Sequence, residues 1–164
     1  MFCQTTDFDC TNMRIAIARS RWNSEIVDSL CLGVRSKLEE CKVPSANIKE
    51  FSVPSTYDLA YLTQVLTSNP HYDAVVVVGV NVEGETHEFT LRSEQLSHEL
   101  CKAQRESRIP VINGVIHCRS LDQARERSGL CGKKGNYGEC SGLAACELAS
   151  LRSRVSQSMC SESR

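Results

Sequence analysis

Four stretches of the chain carry short apolar or alternating patterns, and each is bounded by polar residues. They are 14–18 (RIAIA), 47–53 (NIKEFSV, ending at Pro54), 73–80 (DAVVVVGV) and 109–116 (IPVINGVI). Such runs predict β-strands. The unbroken β-branched series at 73–80 is typical of a strand that is buried on both faces of a parallel sheet.

Between these runs the apolar positions recur every three or four residues, which is the period of one helix face. Residues 24–41 show it best, with Asn23 or Ser24 as a candidate N-cap, and carry their apolar side chains at Ile26, Leu30, Val34, Leu38 and Cys41. Further helices are predicted over 57–68, 90–107, 120–128 and about 138–152. Gly129 is placed to follow the fourth helix as its C′ residue.

The two ends of the chain show little apolar pattern. We therefore predict a flexible N-terminal arm over 1–12, one folded domain over 13–152 and a disordered, Ser-rich tail over 153–164. A length of 164 residues fits one domain better than two.

Strands that alternate with helices predict right-handed βαβ units around a parallel sheet. The predicted fold is α/β, a three-layer αβα sandwich with a four-stranded parallel sheet of flavodoxin-like, doubly wound topology. Ligands bind such sheets at the carboxyl ends of the strands. Four segments meet there, and the functional site is expected among them: 19–23, 54–58, 79–88 and 114–118.

Composition narrows the classes of partner. The formal net charge is −1 and both signs are mixed along the chain, which argues against nucleic acid or an anionic membrane surface. No apolar run approaches the roughly 20 residues of a membrane span, and the first residues lack the pattern of a secretory signal. We expect a cytoplasmic protein.

Ten cysteines are present, but no two have the spacing C-x-x-C. His117 and Cys118 are adjacent, which is not the spacing of a structural zinc site. We favour reduced thiols that pack as small apolar side chains over disulfides or a metal site.

Gly84-Glu85-Thr86 lies between a predicted strand and a predicted helix. Glycine permits close backbone approach, and the free amides of a helix start attract phosphate. The alternative is a glycine that serves only the geometry of the turn. The stretch matches neither the P-loop pattern nor G-x-G-x-x-G, so a dinucleotide is disfavoured.

Three other side chains near this edge have two interpretations each. Trp22, the only tryptophan, follows the first strand and either stacks on a flat ring or is a half-buried structural residue. Asp58 either accepts hydrogen bonds from ligand hydroxyls or caps the next helix. Arg127 either binds a phosphate or complements the end of its helix.

Five motifs in order resemble the lumazine synthase family over about residues 13–152: ARSRWN, VPSTYDL, VVVVGVNVEGET, IPVINGVI and LDQARERSG followed by KKGNYG. The resemblance implies condensation of 5-amino-6-ribitylaminouracil with 3,4-dihydroxy-2-butanone 4-phosphate to 6,7-dimethyl-8-ribityllumazine, a transferase step of riboflavin biosynthesis. It implies no cofactor and no metal.

The resemblance also implies roles for individual residues. Trp22 would stack on the pyrimidine, and the ribityl chain and ring edge would meet Thr56, Tyr57 and Asp58. Backbone groups of three residues would line the pyrimidine site, namely Val80, Asn81 and Val82. Phosphate would be held at Gly84, Glu85 and Thr86. Because the family shares its site between subunits, Asn113 and Arg127 would come from the neighbour, with Arg127 on the phosphate.

This chain departs from the family at several of these positions. The family motif G-[AE]-T-x-H ends in a proton-shuttling histidine, where this chain has Glu88, with His87 one residue early. On a helix one residue turns a side chain by about 100°. Asn113 stands where Phe is common, Asp58 stands for a glutamate, and Tyr137 stands where Lys or His is usual.

Glu88 and His87 are therefore the catalytic candidates. Carboxylates ionise near pH 4.3 and imidazoles near about 6.5, so a carboxylate is the poorer proton donor at neutral pH. Positioning can supply about 7–11 kcal/mol in such condensations, whereas acid/base help is worth about 10²–10⁴-fold. We predict that the reaction is slowed and not redirected. The alternative is a non-catalytic lumazine- or flavin-binding oligomer of the same fold.

The loop GLCGKKGNYG is longer than in the family's sixty-subunit shells. With Trp22 and Cys118 it is closer to the fungal-type members, which are pentamers. We predict a homopentamer with active sites at its subunit interfaces. The alternative is a surface insertion without consequence for assembly.

Overall fold

A computed structural model describes residues 10–132 and 135–161. Strands and helices alternate through this range, as the sequence predicts. Their bounds are β1 Ile15–Ser20, α1 Ser24–Glu40, a 3₁₀ turn Ser45–Asn47, β2 Ile48–Val53, α2 Leu59–Thr67, β3 Ala74–Val82, α3 Glu88–Ser107, β4 Val111–Cys118, α4 Leu121–Arg127 and α5 Tyr137–Ser161.

All four strands are parallel and lie in the order β2-β1-β3-β4, which confirms the predicted α/β fold. β3 is buried along almost its whole length, as its β-branched run predicts. The chain turns to opposite sides of β1 when it forms β2 and then β3. The carboxyl ends of β1 and β3 therefore flank the switch point where ligands bind in sheets of this kind.

One side of the sheet, which we call the closed face, is covered by α1 and α5. The two helices approach closely because α5 carries glycines toward α1. A Cβ on Gly138 would overlap the carbonyl oxygen of Leu30, and one on Gly142 would lie 2.7 Å from the carbonyl oxygen of Val34. The amide of Asn136 adds a 2.6 Å hydrogen bond to the carbonyl of Ser29.

The other side, the open face, is covered by α2 and α3 over a smaller core that includes Val75, Val77 and Leu100. The outer surface of these helices carries large apolar side chains in solvent. Tyr61 is 71% exposed, and the others are Tyr57, Val65 and Leu91. A surface of this kind marks an interaction site more often than an isolated apolar residue does.

Predictions for the ends of the chain need correction. α5 continues past residue 152 to Ser161, where the Ser-rich composition indicated disorder. Its serines bond back to carbonyls of the preceding turn, as Ser156 does to Arg152 at 3.0 Å, so they are accommodated in the helix. Residues 162–164 and 1–9 lie outside the described residues. Cys10, in the predicted arm, is fully buried in the core.

Two helix-end predictions have different outcomes. Gly129 follows the last turn of α4 with φ +85°, which confirms its C′ role. Asn23 does precede α1, but its own backbone is left-handed, at φ 54°, and within the described residues its side chain makes no cap hydrogen bond. Its carbonyl oxygen instead accepts from the amides of Ile26 and Val27.

The eight described cysteines form no disulfide among themselves, and five are buried. Burial raises the pKa of the Cys31 thiol to about 12, so this sulfur packs as an apolar atom. Cys3 and the side chain of Cys160 lie outside the described residues. Within residues 10–132 and 135–161, no cluster of three His, Cys, Asp or Glu side chains could hold a metal, and no helix could cross a membrane.

Candidate active site

A small pocket of about 90 Å³ lies between the end of β3 and the start of α3. It is lined by Asn81, Val82, Gly84, Thr86, Glu88, Phe89 and Arg92. A larger cavity of about 360 Å³ opens at the ends of β1 and β2. Its charged side chains Arg19, Asp28 and Glu50 already pair with one another. The smaller pocket holds the predicted motif and is the better candidate.

Asn81 is the buried polar side chain at the base of this pocket, and it is 7% exposed. Its Oδ1 accepts a 2.6 Å hydrogen bond from the hydroxyl of Thr56, which is 2% exposed. Its Nδ2 lies 3.5 Å from Nδ1 of His117. Gly79 is required beside this network, because a Cβ there would lie 2.9 Å from Cγ2 of Thr56. Val80 points into the closed-face core, so only its backbone can serve the pocket.

The predicted anion cradle is open. Glu85 and Thr86 are exposed, and a Cβ on Gly84 would meet no described atom within 4 Å. The segment runs directly into α3, a helix of 20 residues. The positive end of the helix dipole therefore lies beside Gly84 and Thr86.

Glu88, the first residue of α3, lines the pocket and pairs with Arg92 at 3.1 Å. The Arg92 guanidinium also lies 5.7 Å from the ring centroid of Trp22. Trp22 is 53% exposed, so it is not a core residue. His87 immediately precedes α3 and is exposed, and it is not among the described residues that line the pocket.

Asp58 occupies the N-cap position of α2, but within the described residues its side chain makes no cap hydrogen bond, so the capping interpretation is wrong. Its carboxylate accepts hydrogen bonds from the amide and the hydroxyl of Ser55, each at 2.9 Å. The Ser55 hydroxyl in turn accepts from the amide of Tyr57 at 3.2 Å. These hydrogen bonds close the turn between Ser55 and Asp58 that precedes α2. Tyr57 remains 57% exposed beside it.

Asn113 and Arg127 are separated from the pocket and are not among the described side chains that line it. Asn113 is exposed on β4, and its Oδ1 accepts from the amide of Val115 at 3.1 Å. Arg127 donates to the carbonyl of His117 at 3.3 Å, and its guanidinium lies 5.0 Å from the ring centroid of Tyr137. One chain therefore brings together only part of the predicted set.

Comparison with known proteins agrees with the resemblance. The sequence model of the 6,7-dimethyl-8-ribityllumazine synthase family matches residues 12–153. This chain belongs to that family. A family member from Pyricularia oryzae is 30% identical, over 88% of this chain and 90% of its own length.

Two bacterial members of the family are about as similar. The one from Stenotrophomonas maltophilia K279a is 32% identical over 84% of this chain and 88% of its own length, and the one from Flavobacterium johnsoniae is 31% identical over 88% and 75%. The identities to fungal and bacterial members are thus nearly equal. Among solved structures, a de novo designed Rossmann fold protein covers 74% of this chain at 16% identity, with a TM-score of 0.39.

Three side chains at the site were missed by sequence reasoning: Phe89, Arg92 and His117. Arg92 could have been found, because it lies four residues after Glu88, the spacing of a helical ion pair. His117 could not, because it meets Asn81 through the register of β3 and β4. The Phe89 ring packs edge-on against it at 6.4 Å, and burial, with the charge of Arg127, lowers the pKa of His117.

Proposed function

We propose that this protein condenses 5-amino-6-ribitylaminouracil with 3,4-dihydroxy-2-butanone 4-phosphate to form 6,7-dimethyl-8-ribityllumazine. The observation that carries the proposal is the match to the family over residues 12–153, with the pocket at its GVNVEGET segment. The reaction is a transferase step in riboflavin biosynthesis.

The phosphate of the butanone substrate would bind at the start of α3. Gly84 leaves room for it, and the amides of Glu85 and Thr86 and the Thr86 hydroxyl would donate to its oxygens. Glu88 carries a charge of the same sign as the phosphate, but the guanidinium of Arg92 is paired with its carboxylate at 3.1 Å.

The ribitylated ring would lie over Trp22, whose indole is exposed beside Arg92. Stacking of a base on an aromatic side chain is worth about 1–3 kcal/mol. Backbone groups of Val80, Asn81 and Val82 would line the ring. The ribityl chain would meet Thr56, Tyr57 and the Asp58 oxygen that does not bond Ser55.

Asn113 and Arg127 would reach this site from a neighbouring subunit of a homopentamer. The support is twofold. Neither residue lines its own chain's pocket among the described residues, and the open face exposes Tyr57, Tyr61 and Leu91. Packing the open face against a neighbour would cover these side chains and complete the site.

The departures from the family motif at residues 87 and 88 affect the proton-transfer step. Glu88 occupies the pocket and is held by Arg92, whereas His87 lies outside the pocket lining. The reaction would then depend mainly on the positioning of the two substrates. The Glu88–Arg92 pair also favours the second candidate, a lumazine- or flavin-binding oligomer without turnover, because the pair blocks the family's proton shuttle.

An assay with both substrates tests the proposal by following lumazine absorbance and phosphate release. We expect slow turnover by the wild type. Glu88→His should raise kcat by about 10²-fold, because general acid/base help is typically worth about 10²–10⁴-fold. Glu88→Gln is the control, since it removes the charge without adding an imidazole and should not accelerate the reaction. If neither wild type nor Glu88→His forms lumazine while both bind it, the binding protein is the correct function.

A further inference from the structure

His117 has no part in the roles given above, yet it contacts two residues that line the pocket, Asn81 and Phe89. It lies opposite Asn81 in the register of the parallel strands β3 and β4. Its Nδ1 is 3.5 Å from the amide nitrogen of Asn81, whose oxygen accepts from Thr56. Its Nε2 is buried and has no hydrogen-bond partner among the described residues.

This geometry selects one form of the imidazole. With the Asn81 amide in this orientation its nitrogen can only donate, so the 3.5 Å contact fits a neutral imidazole that accepts at Nδ1. The surroundings favour that form. The Phe89 ring packs on the imidazole from α3, and Arg127 on α4 places its positive charge on the His117 carbonyl. Both burial and this charge lower the pKa of His117.

The other titratable and charged groups nearby are few. Cys118 and Tyr137 lie beside Arg127, and Glu88 and Arg92 line the pocket on the far side of Asn81. Glu88 and Arg92 are paired with each other. Among the described residues, the imidazole contacts the Asn81 amide and the Phe89 ring, and Arg127 is the charged side chain that acts on its pKa.

Protonation of the imidazole would place two donors face to face, Nδ1–H of His117 and the NH₂ group of Asn81. A half-turn of the Asn81 amide removes the conflict. Its oxygen then accepts from His117, and its nitrogen donates to the Thr56 hydroxyl, which can accept as well as donate. The same rotation exchanges the donor and the acceptor that Asn81 presents to the pocket.

We propose that His117 is a positioning residue that sets the orientation of the Asn81 side-chain amide, and that protonation of His117 reverses this orientation and weakens binding of the heteroaromatic ring. The identity of that ring as a ribitylated lumazine or pyrimidine rests on the proposed function. Asn81 lines the pocket, so its side-chain amide would meet the ligand in addition to its backbone groups, and His117 would act through that amide.

Binding of 6,7-dimethyl-8-ribityllumazine, followed by the fluorescence of Trp22, tests the proposal at pH 7.5 and pH 5.0. The wild type should bind about tenfold more weakly at pH 5.0, the effect of roughly one hydrogen bond. His117→Gln should bind as the wild type does at pH 7.5 and keep that affinity at pH 5.0, because its side-chain oxygen accepts from Asn81 and does not titrate. His117→Leu, which cannot accept, should bind weakly at both values.

His98→Gln is the matched control. His98 is exposed on α3 and pairs with Glu99, so its removal should leave the pH dependence as in the wild type. His87, which is also near the pocket, is unchanged in His117→Gln, so only the difference between the two proteins reports on His117. Equal pH dependence in wild type and His117→Gln would overturn the proposal.

A second measurement needs no ligand. The Asn81 side-chain amide signal, assigned by its loss in Asn81→Ser, should shift between pH 7.5 and 5.0 in the wild type and remain still in His117→Gln. An unmoved signal in the wild type overturns the inference. If instead no variant binds the lumazine but the signal shifts, the proposed function fails while the coupling of His117 to Asn81 stands.

Discussion

The two faces of the sheet are both covered by a pair of helices, but the helices pack differently on each face. On the closed face, α1 and α5 are drawn together by glycines, and the buried cysteines fill the remaining space. On the open face, α2 and α3 leave Tyr61 and Leu91 in solvent and hold the candidate pocket. The closed face also exposes apolar side chains, such as Leu32 on α1 and Leu151 on α5, so the two faces differ in the close helix contact of the one and the pocket of the other.

Adding one methyl group at Gly138 should disrupt the packing of α1 against α5 on the closed face. In Gly138→Ala the new Cβ meets the backbone carbonyl of Leu30, which cannot move without separating α1 from α5. We expect a loss of about 3 kcal/mol in the free energy of unfolding, the upper range for overpacking. Urea denaturation measures it. Gly135→Ala, where a Cβ meets no described atom within 4 Å, is the control and should change stability by less than about 0.5 kcal/mol.

A charge on the open face should act on assembly and not on the fold. Tyr61→Asp puts a carboxylate where we place the subunit contact, and burying an unpaired charge there costs several kcal/mol, on the order of what holds an interface together. Sedimentation should show the pentamer replaced by smaller species, with turnover lost because Asn113 and Arg127 no longer arrive. Leu32→Asp, at a side chain on α1 that is equally exposed, should leave the assembly intact. The reverse pattern would place the contact on the closed face.

The elements of both faces were predictable because their signals are local. The β-branched run of β3 and the three- and four-residue spacing in α1 depend only on neighbours along the chain. The extension of α5 to Ser161 was missed because this segment is Ser-rich and shows little apolar pattern. Beyond residue 152 the helix continues from a turn that is already packed, so it does not need apolar contacts of its own.

The site was predictable only in outline. The segment from Asn81 to Glu88 was located correctly beside a pocket, because a strand–turn–helix junction is readable. The Asn81–His117 contact was not readable, because it joins residues on two strands whose register depends on the whole sheet. The contact of Arg92 with Trp22 likewise depends on how α3 packs against β3 and β4.

The ion pairs of the two faces differ in how far their side chains are exposed to solvent. Glu50 on the closed face pairs with Arg19, whose side chain is 17% exposed, whereas Glu88 and Arg92 of the open face are 66% and 32% exposed. Arg92→Gln should therefore change the free energy of unfolding by less than about 0.5 kcal/mol, as exposed pairs do. It should still alter the fluorescence of Trp22, which loses the cation above its ring. Glu50→Gln, the matched change, should cost about 1–3 kcal/mol because it removes the negative charge that pairs with both Arg19 and Arg35. Equal losses in the free energy of unfolding would mean that the ion pairs of the two faces stabilise the fold to the same extent. Arg92 would then have a structural role and not mainly a role in ligand binding.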